Sequence, residues 1–444
     1  MLNLSASGSP DPRGASSRNG SSPKRRRILQ VITTVDVGGA EHHLLSLCRG
    51  LVDLGHEVDV VFLKGRGTLE ARFQDLGIRT RRLETERWGG YLRAAWGLWR
   101  LCRRGRYDLV HTHLLKANVL GALAARGAGV ETVIASKHND EHQLRHPVIA
   151  WIHRHLSKLD TRVLHASRHI ADYMIEVGGV DAEKSRVVHY GVDAERLAAG
   201  PGLGIRSERG LSNQTFILTC VARLIRRKGH LQLLDAFAKV LSDGNNDGNK
   251  TMELWLVGDG PMADEIRERI HTLGLEDRVW MAGERLDVSS ILKESDAFTL
   301  ASTHEGLGLV LLEAMACRLP VLATEAGGMP ELVQDGITGR LVPVDDPEAL
   351  AAAVYELASH PERREQWGEA GYRRLQGELC HRRMMSKIVE TYGFSSDESP
   401  PSPLAEPSEV EPPAVCQEIP VSPGSLSSTV TASSAVASPK PTSG

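Results

Sequence analysis

The chain has little that would mark it as a metalloprotein, a secreted scaffold or a membrane protein. Its six cysteines are Cys48, Cys102, Cys220, Cys317, Cys380 and Cys416, scattered with no Cys-x-x-Cys pair. That argues against a zinc site or a disulfide framework and fits a reducing compartment, so a cytoplasmic location is expected. No apolar run reaches the about 18 residues that a membrane span needs. The N-terminus lacks the apolar core of a signal peptide. A net charge of -3 with 25% charged residues carries no basic excess, so no nucleic-acid partner is expected. At 444 residues the chain is too long for one ordinary domain, and two domains plus tails is the starting expectation.

The ends read as disordered. Residues 1–27 are rich in Ser, Gly and Pro and close with Lys24-Arg25-Arg26-Arg27, six cations against one carboxylate. Residues 395–444 are a Ser/Pro-rich tail with six carboxylates against Lys440. Neither segment holds enough apolar surface to order itself. The basic run could steer the chain to an anionic inner-leaflet membrane surface, or it is a solvated strand flank. Residues 242–250, SDGNNDGNK, read as a polar surface loop.

Between the tails, strand and helix alternate. Short apolar runs at 28–32, 58–63, 109–112, 132–136 and 162–165 read as buried parallel strands, and 40–54 as the first helix. A second set follows at 216–221, 254–257, 279–281, 297–301 and 321–323. The pattern predicts two α/β domains, each a doubly wound parallel sheet, facing across a cleft. Their expected limits are 28–196 and 214–378, joined by a Gly-rich linker at 197–213, with 379–394 crossing back as a C-terminal helix.

The polar motifs fall at the carboxyl ends of these strands, where such sheets bind ligands. They are Gly38-Gly39, His111-Thr112-His113, Lys137-His138-Asn139, Arg223 with Lys228, Gly258-Asp259-Gly260, Gly283-Glu284-Arg285, Glu305 and Gly327-Gly328. The stretch 302–324 is the densest. Gly306 and Gly308 permit a tight loop, a helix starts near Leu309, and Glu305 and Glu313 bracket the turn. A helix N-terminus behind a glycine loop suits phosphate. A carboxylate one turn in can accept hydrogen bonds from sugar hydroxyls. The plainer alternative is a solvated Glu305 and a surface Glu313.

Taken together, Gly38-Gly39-Ala40-Glu41, Val110-His111-Thr112-His113, Tyr190-Gly191-Val192-Asp193, Val221-Ala222-Arg223 with Lys228-Gly229, Val257-Gly258-Asp259-Gly260, Glu305-Gly306 to Glu313-Ala314-Met315-Ala316 and Gly327-Gly328-Met329-Pro330-Glu331 resemble the retaining glycosyltransferases of family 4, which have the two-Rossmann-domain GT-B fold. The resemblance covers about 28 to 392. It implies a retaining hexosyltransferase that takes a nucleotide-diphosphate sugar, UDP- or GDP-linked, and glycosylates a glycan or lipid-linked acceptor. It implies that Glu313 holds the ribose and that Glu305 binds the donor sugar near the reacting carbon. It also implies that Arg223 and Lys228 would neutralise the diphosphate, with N–H groups at Leu307 to Leu309 adding to that. His138 would lie near the donor sugar, with His113 a weaker candidate on the acceptor side. Gly38-Gly39 would lie near the diphosphate and acceptor, residues from Gly283 to Arg285 would contact the base largely by backbone, and Gly258 would be among the nucleotide-binding residues. No metal or other cofactor is implied, and no Asp-x-Asp pair stands at a strand end near the phosphate site.

Two stretches stay open. Residues 91–104, YLRAAWGLWRLCRR, either pack Leu92, Trp96 and Trp99 on the sheet with their arginines in water, or lie in a membrane interface. His142, His146, His153 and His155 lack metal-ligand spacing and read as surface or acceptor-loop residues. Two other function classes also remain: a sugar-nucleotide epimerase of the same architecture, and a catalytically silent sugar-nucleotide-binding protein.

Overall fold

The computed structural model describes residues 25–85, 89–200, 202–242 and 251–394. Residues 1–24 of the expected N-terminal tail at 1–27, the expected tail at 395–444 and residues 243–250 of the expected insert at 242–250 lie outside the described residues.

Within them, thirteen strands form two all-parallel sheets. The first sheet holds β1 (Arg27–Ile32), β2 (Glu57–Phe62), β3 (Arg79–Arg82), β4 (Leu109–His113), β5 (Thr132–Lys137), β6 (Arg162–His165) and β7 (Ser185–Val187), in the order β3-β2-β1-β4-β5-β6-β7. The second holds β8 (Phe216–Val221), β9 (Met252–Val257), β10 (Val279–Gly283), β11 (Ala297–Leu300), β12 (Val321–Thr324) and β13 (Gly339–Val342), in the order β10-β9-β8-β11-β12-β13. Each order reverses direction once, next to its first strand. The gap between β1 and β4, and that between β8 and β11, is therefore a switch point where loops diverge and leave room for a ligand.

The central strands are apolar on both faces because helices cover both. Ile28, Leu29, Val31 and Ile32 in β1 and Ala297, Phe298 and Leu300 in β11 are fully buried. Each such Leu, Ile or Val contributes about 1.5–3 kcal/mol relative to exposure. The edge strand β3 is different: its sequence RTRR is mostly exposed, and Arg79 forks onto Asp59 of β2 at 2.9 and 3.0 Å. The basic run that leads into β1 is partly tied down, with Arg25 and Arg27, the first residue of the strand, both paired to Glu57 at 3.3 and 3.1 Å.

The segment between the sheets is more ordered than its glycines predict. A short helix forms at Ile205–Glu208. Arg206 fixes it, donating to the Glu294 carbonyl at 2.7 Å and to Asp296 at 2.5 Å. The helix His381–Tyr392 belongs to the core of the first sheet, where Met384, Met385, Ile388 and Tyr392 pack with Ile28, Leu44 and Leu47. A parallel bridge between Val192 and Cys380 leads into it.

The helix Gly90–Gly105 corrects one expectation. It buries Ala94, Leu98 and Cys102, not Leu92, Trp96 and Trp99, which are exposed. His153 corrects another: it is buried rather than on the surface. Among the described residues no helix is long and apolar enough to cross a membrane.

Candidate active site

The loop after β11 is organised by close approach. A Cβ on Gly306 would lie 2.0 Å from the His138 carbonyl oxygen, so only glycine lets the β5 loop of the first half rest on it. Gly327 has φ +56°, and a Cβ there would meet the Glu305 carbonyl oxygen at 1.7 Å. Ser167 of the first half seals the contact, donating from its hydroxyl to the Gly306 carbonyl at 2.7 Å. The Gly38-Gly39 loop comes in from the other side, with Gly39 against Leu309.

Gly308, at φ +92°, turns the chain into the helix Leu309–Ala316. No side chain caps that helix. The N–H groups of Leu307, Gly308 and Leu309 meet no acceptor among the described residues. They form a positive helix end with its donors unspent, the arrangement that holds phosphate elsewhere.

Glu305 and Lys228 form an ion pair, and both side chains are largely buried. The Ser302 hydroxyl lies 3.4 Å from the same carboxylate oxygen. Arg223 is exposed and has no ion pair among the described residues. It is close enough to Glu41 to act on that carboxylate, which burial pushes up and a hydrogen bond from Thr34 at 2.6 Å pulls down. Of the two expected phosphate cations, one is therefore free and one is held by the acid expected at the sugar.

Glu313 stands alone. Its carboxylate accepts no hydrogen bond and meets no cation among the described residues, and it keeps part of its surface open. Burial pushes its carboxyl up to about 7, with no opposing charge to bring it back. A carboxylate in this state is short of donors.

At the ends of β9 and β10, the Gly258 N–H donates to the Gly283 carbonyl at 2.8 Å. A Cβ on Gly258 would lie 2.1 Å from the Ala222 carbonyl oxygen. Arg285 is committed to Asp287 by two hydrogen bonds of 2.8 and 2.6 Å.

His138 and His113 are placed otherwise than their motif suggests. Both are buried, and their rings belong to one hydrogen-bonded chain. His113 Nε2 lies 2.8 Å from the Gln30 side-chain oxygen, which can only accept. His113 Nδ1 therefore accepts, from His138 Nε2 at 3.1 Å. That leaves His138 Nδ1 to accept from the Tyr190 hydroxyl at 2.6 Å. Burial holds both imidazoles well below the usual histidine range, as this neutral chain requires. Neither ring has a nitrogen left for the cleft; His138 meets the glycine loop through its backbone carbonyl.

Sequence reasoning did not single out Ser167 or Glu331 as site residues. Glu331 follows β12, yet its carboxylate accepts from the N–H groups of Arg168 and His169 at 2.9 and 3.0 Å and from His189 Nε2 at 2.7 Å. It caps a first-half helix, Arg168–Glu176, from the second half. Its only signal was its place in the Gly327-Gly328-Met329-Pro330-Glu331 motif.

Two parallel-sheet halves that meet at a glycine loop, with an uncapped helix end and two carboxylates eight positions apart, define a glycosyltransferase of the GT-B class. The comparisons with known proteins narrow the class. Residues 37–196 match the family model described as Glycosyltransferase Family 4, and residues 205–374 match Glycosyl transferases group 1. The chain is 31% identical over 268 residues to an Escherichia coli protein named UDP-Gal:alpha-D-GlcNAc-diphosphoundecaprenol alpha-1,3-galactosyltransferase, covering 59% of this chain and 68% of that one. It is 27% identical over 391 residues to a D-inositol 3-phosphate glycosyltransferase of Streptomyces bingchenggensis, covering 78% of this chain and 84% of that one. Anabaena HepE, solved in complex with UDP and glucose, superposes with a TM-score of 0.74 at 23% identity over 83% of this chain and all of the other. This chain belongs to the group 1, family 4 glycosyltransferases.

Proposed function

We propose that the protein is a retaining, metal-independent hexosyltransferase that moves a sugar from UDP or GDP to a hydroxyl of a glycan or lipid-linked acceptor in cell-surface polysaccharide or glycolipid synthesis. The donor-starved carboxylate of Glu313, beside an uncapped helix end, carries this reading. A ribose supplies two hydroxyl donors, and the adjacent N–H groups of Leu307 to Leu309 face the phosphates of the same nucleotide. UDP is favoured over GDP because the E. coli relative is named for UDP-galactose and HepE was solved with UDP. The diphosphoundecaprenol in the E. coli relative's name favours a lipid-linked acceptor.

In the reaction, the bond between the sugar's anomeric carbon and the β-phosphate oxygen breaks. The acceptor oxygen bonds to that carbon on the same face and passes its proton to the departing phosphate. Glu305 supports positive charge on the sugar. Arg223, the helix N–H groups and Lys228, once released from Glu305, stabilise the diphosphate. A panel of nucleotide sugars, read as released nucleoside diphosphate, identifies the donor. Proton NMR of the first-formed product should show the donor's anomeric configuration retained. An inverted anomer sinks the mechanism, and nucleotide release without any acceptor favours an epimerase.

A further inference from the structure

The helix Pro147–Leu156 is built inside out. Val148, Ile149, Trp151 and Ile152 are exposed, Trp151 by 62%. The residue it buries is His153, whose Nε2 lies 3.1 Å from Lys137 Nζ and whose Nδ1 donates to the Gly178 carbonyl at 2.7 Å. A surface helix ordinarily turns its apolar stripe to the core. This one is held to the sheet by a polar hook, and its apolar stripe faces out.

The helix Gly90–Gly105 buries one apolar stripe but turns a second outward, with Leu92 79% and Trp96 59% exposed. Helix Leu115–Gly127 lies between the two and packs on both, so the exposed residues belong to one face of the first half. Trp99 Nε1 donates to the Gly127 carbonyl at 3.1 Å, which fixes the junction of two of these helices. The three helices contain no Asp or Glu, although the chain as a whole is net acidic. Arg100, Arg103, Arg104, Lys116 and Arg154 are exposed on them.

We propose that this face docks on an anionic lipid bilayer. Exposed tryptophans and aliphatics set among cations, with no carboxylate, suit the boundary between headgroups and acyl chains. A second copy of the chain would set cations against cations. The placement also serves the cleft. The segment that enters the Pro147–Leu156 helix leaves β5 through His138, whose carbonyl meets Gly306. It then passes His142, whose ring lies 5.6 Å from that of His304, next to Glu305. The proposal rests on the exposed face and not on the assigned reaction.

The test uses the full chain and sedimentation with vesicles of phosphatidylcholine, with and without phosphatidylglycerol. Binding is expected only, or far more strongly, with phosphatidylglycerol present, and it should weaken with salt. Trp96→Ser with Trp151→Ser should lower the partition coefficient about tenfold or more, with circular dichroism and UDP affinity unchanged. Arg103→Glu with Arg104→Glu should lower it by a similar factor through charge alone. Protein that stays in the supernatant overturns the proposal, as does a tryptophan variant that sediments like the parent. A parent dimer that the tryptophan variant dissolves, without vesicle binding in either, assigns the face to self-association and also overturns it. Sedimentation needs no turnover, so an error in the assigned reaction leaves this result standing.

Discussion

Replacing Glu313 should move stability and ligand binding in opposite directions. The carboxyl is pushed up to about 7 by burial, while an unfolded chain holds it near 4.5. Between these values the native state keeps a proton that the unfolded state has released. Stability from this group is therefore complete below about pH 4.5, falls as pH rises, and levels off above about 7. The shift amounts to about 3 kcal/mol. Glu313→Gln keeps the shape and removes the ionisation, so the empty variant should be more stable than the parent at pH 8 and equal to it near pH 4.5. Binding runs the other way. Ribose hydroxyls donate to the ionised form, and each lost hydrogen bond to a charged acceptor costs about 1.5–3 kcal/mol. UDP affinity should fall about ten- to a hundredfold in the variant. In the parent, UDP should bind more tightly as pH rises toward 7 and should release a proton on binding at pH 6. Calorimetry in two buffers of different ionisation enthalpy counts that proton, and chemical denaturation across pH measures the stability. A folded Glu313→Gln protein with parental UDP affinity would refute the ribose role, even if its stability rises as expected.

The diphosphate is expected to be met by side-chain cations and backbone donors: full turnover in excess chelator, with Arg223→Ala and Lys228→Ala each about a hundredfold slower, would agree with this. Activity that disappears with chelator and returns with magnesium or manganese would overturn it. Glu331→Ala removes the cap that joins the halves and should cost about 1–2 kcal/mol of stability. Hydrogen exchange at the amides of Arg168 and His169 should quicken while UDP affinity holds; unchanged exchange would show that the clasp is not maintained in solution.

The inner strands were legible because a strand buried on both faces must be mostly apolar. β1, β8 and β11 each carry a single polar residue in their buried stretch, Gln30, Thr219 and Thr299. The edge strands β3 and β7 were missed for the converse reason. RTRR and SRV carry no apolar signal, and their pairing follows from having β2 and β6 beside them. The helix Gly90–Gly105 shows another limit. It carries two apolar stripes, one through Ala94, Leu98 and Cys102 and one through Leu92, Trp96 and Trp99. Periodicity finds both and cannot choose between them. The sheet takes the stripe with smaller side chains, which brings the helix close to its neighbour at 115–127.

At the site, residue types were legible and pairings were not. Glycine at 306 signals a close approach, but the atom that approaches is the carbonyl of His138, in the other half of the chain. Lys228 and Glu305 were assigned separately to phosphate and to sugar, and here they neutralise each other. That pairing has a consequence for the reaction. With Lys228 held against it, the Glu305 carboxylate has a charge partner in its largely buried position, which Glu313 lacks. In the proposed reaction a diphosphate arriving at the helix end would compete for Lys228. Each step toward phosphate would leave Glu305 with less compensation as positive charge grows on the sugar beside it. The ion pair would thus hold the carboxylate's charge in reserve until the transition state uses it.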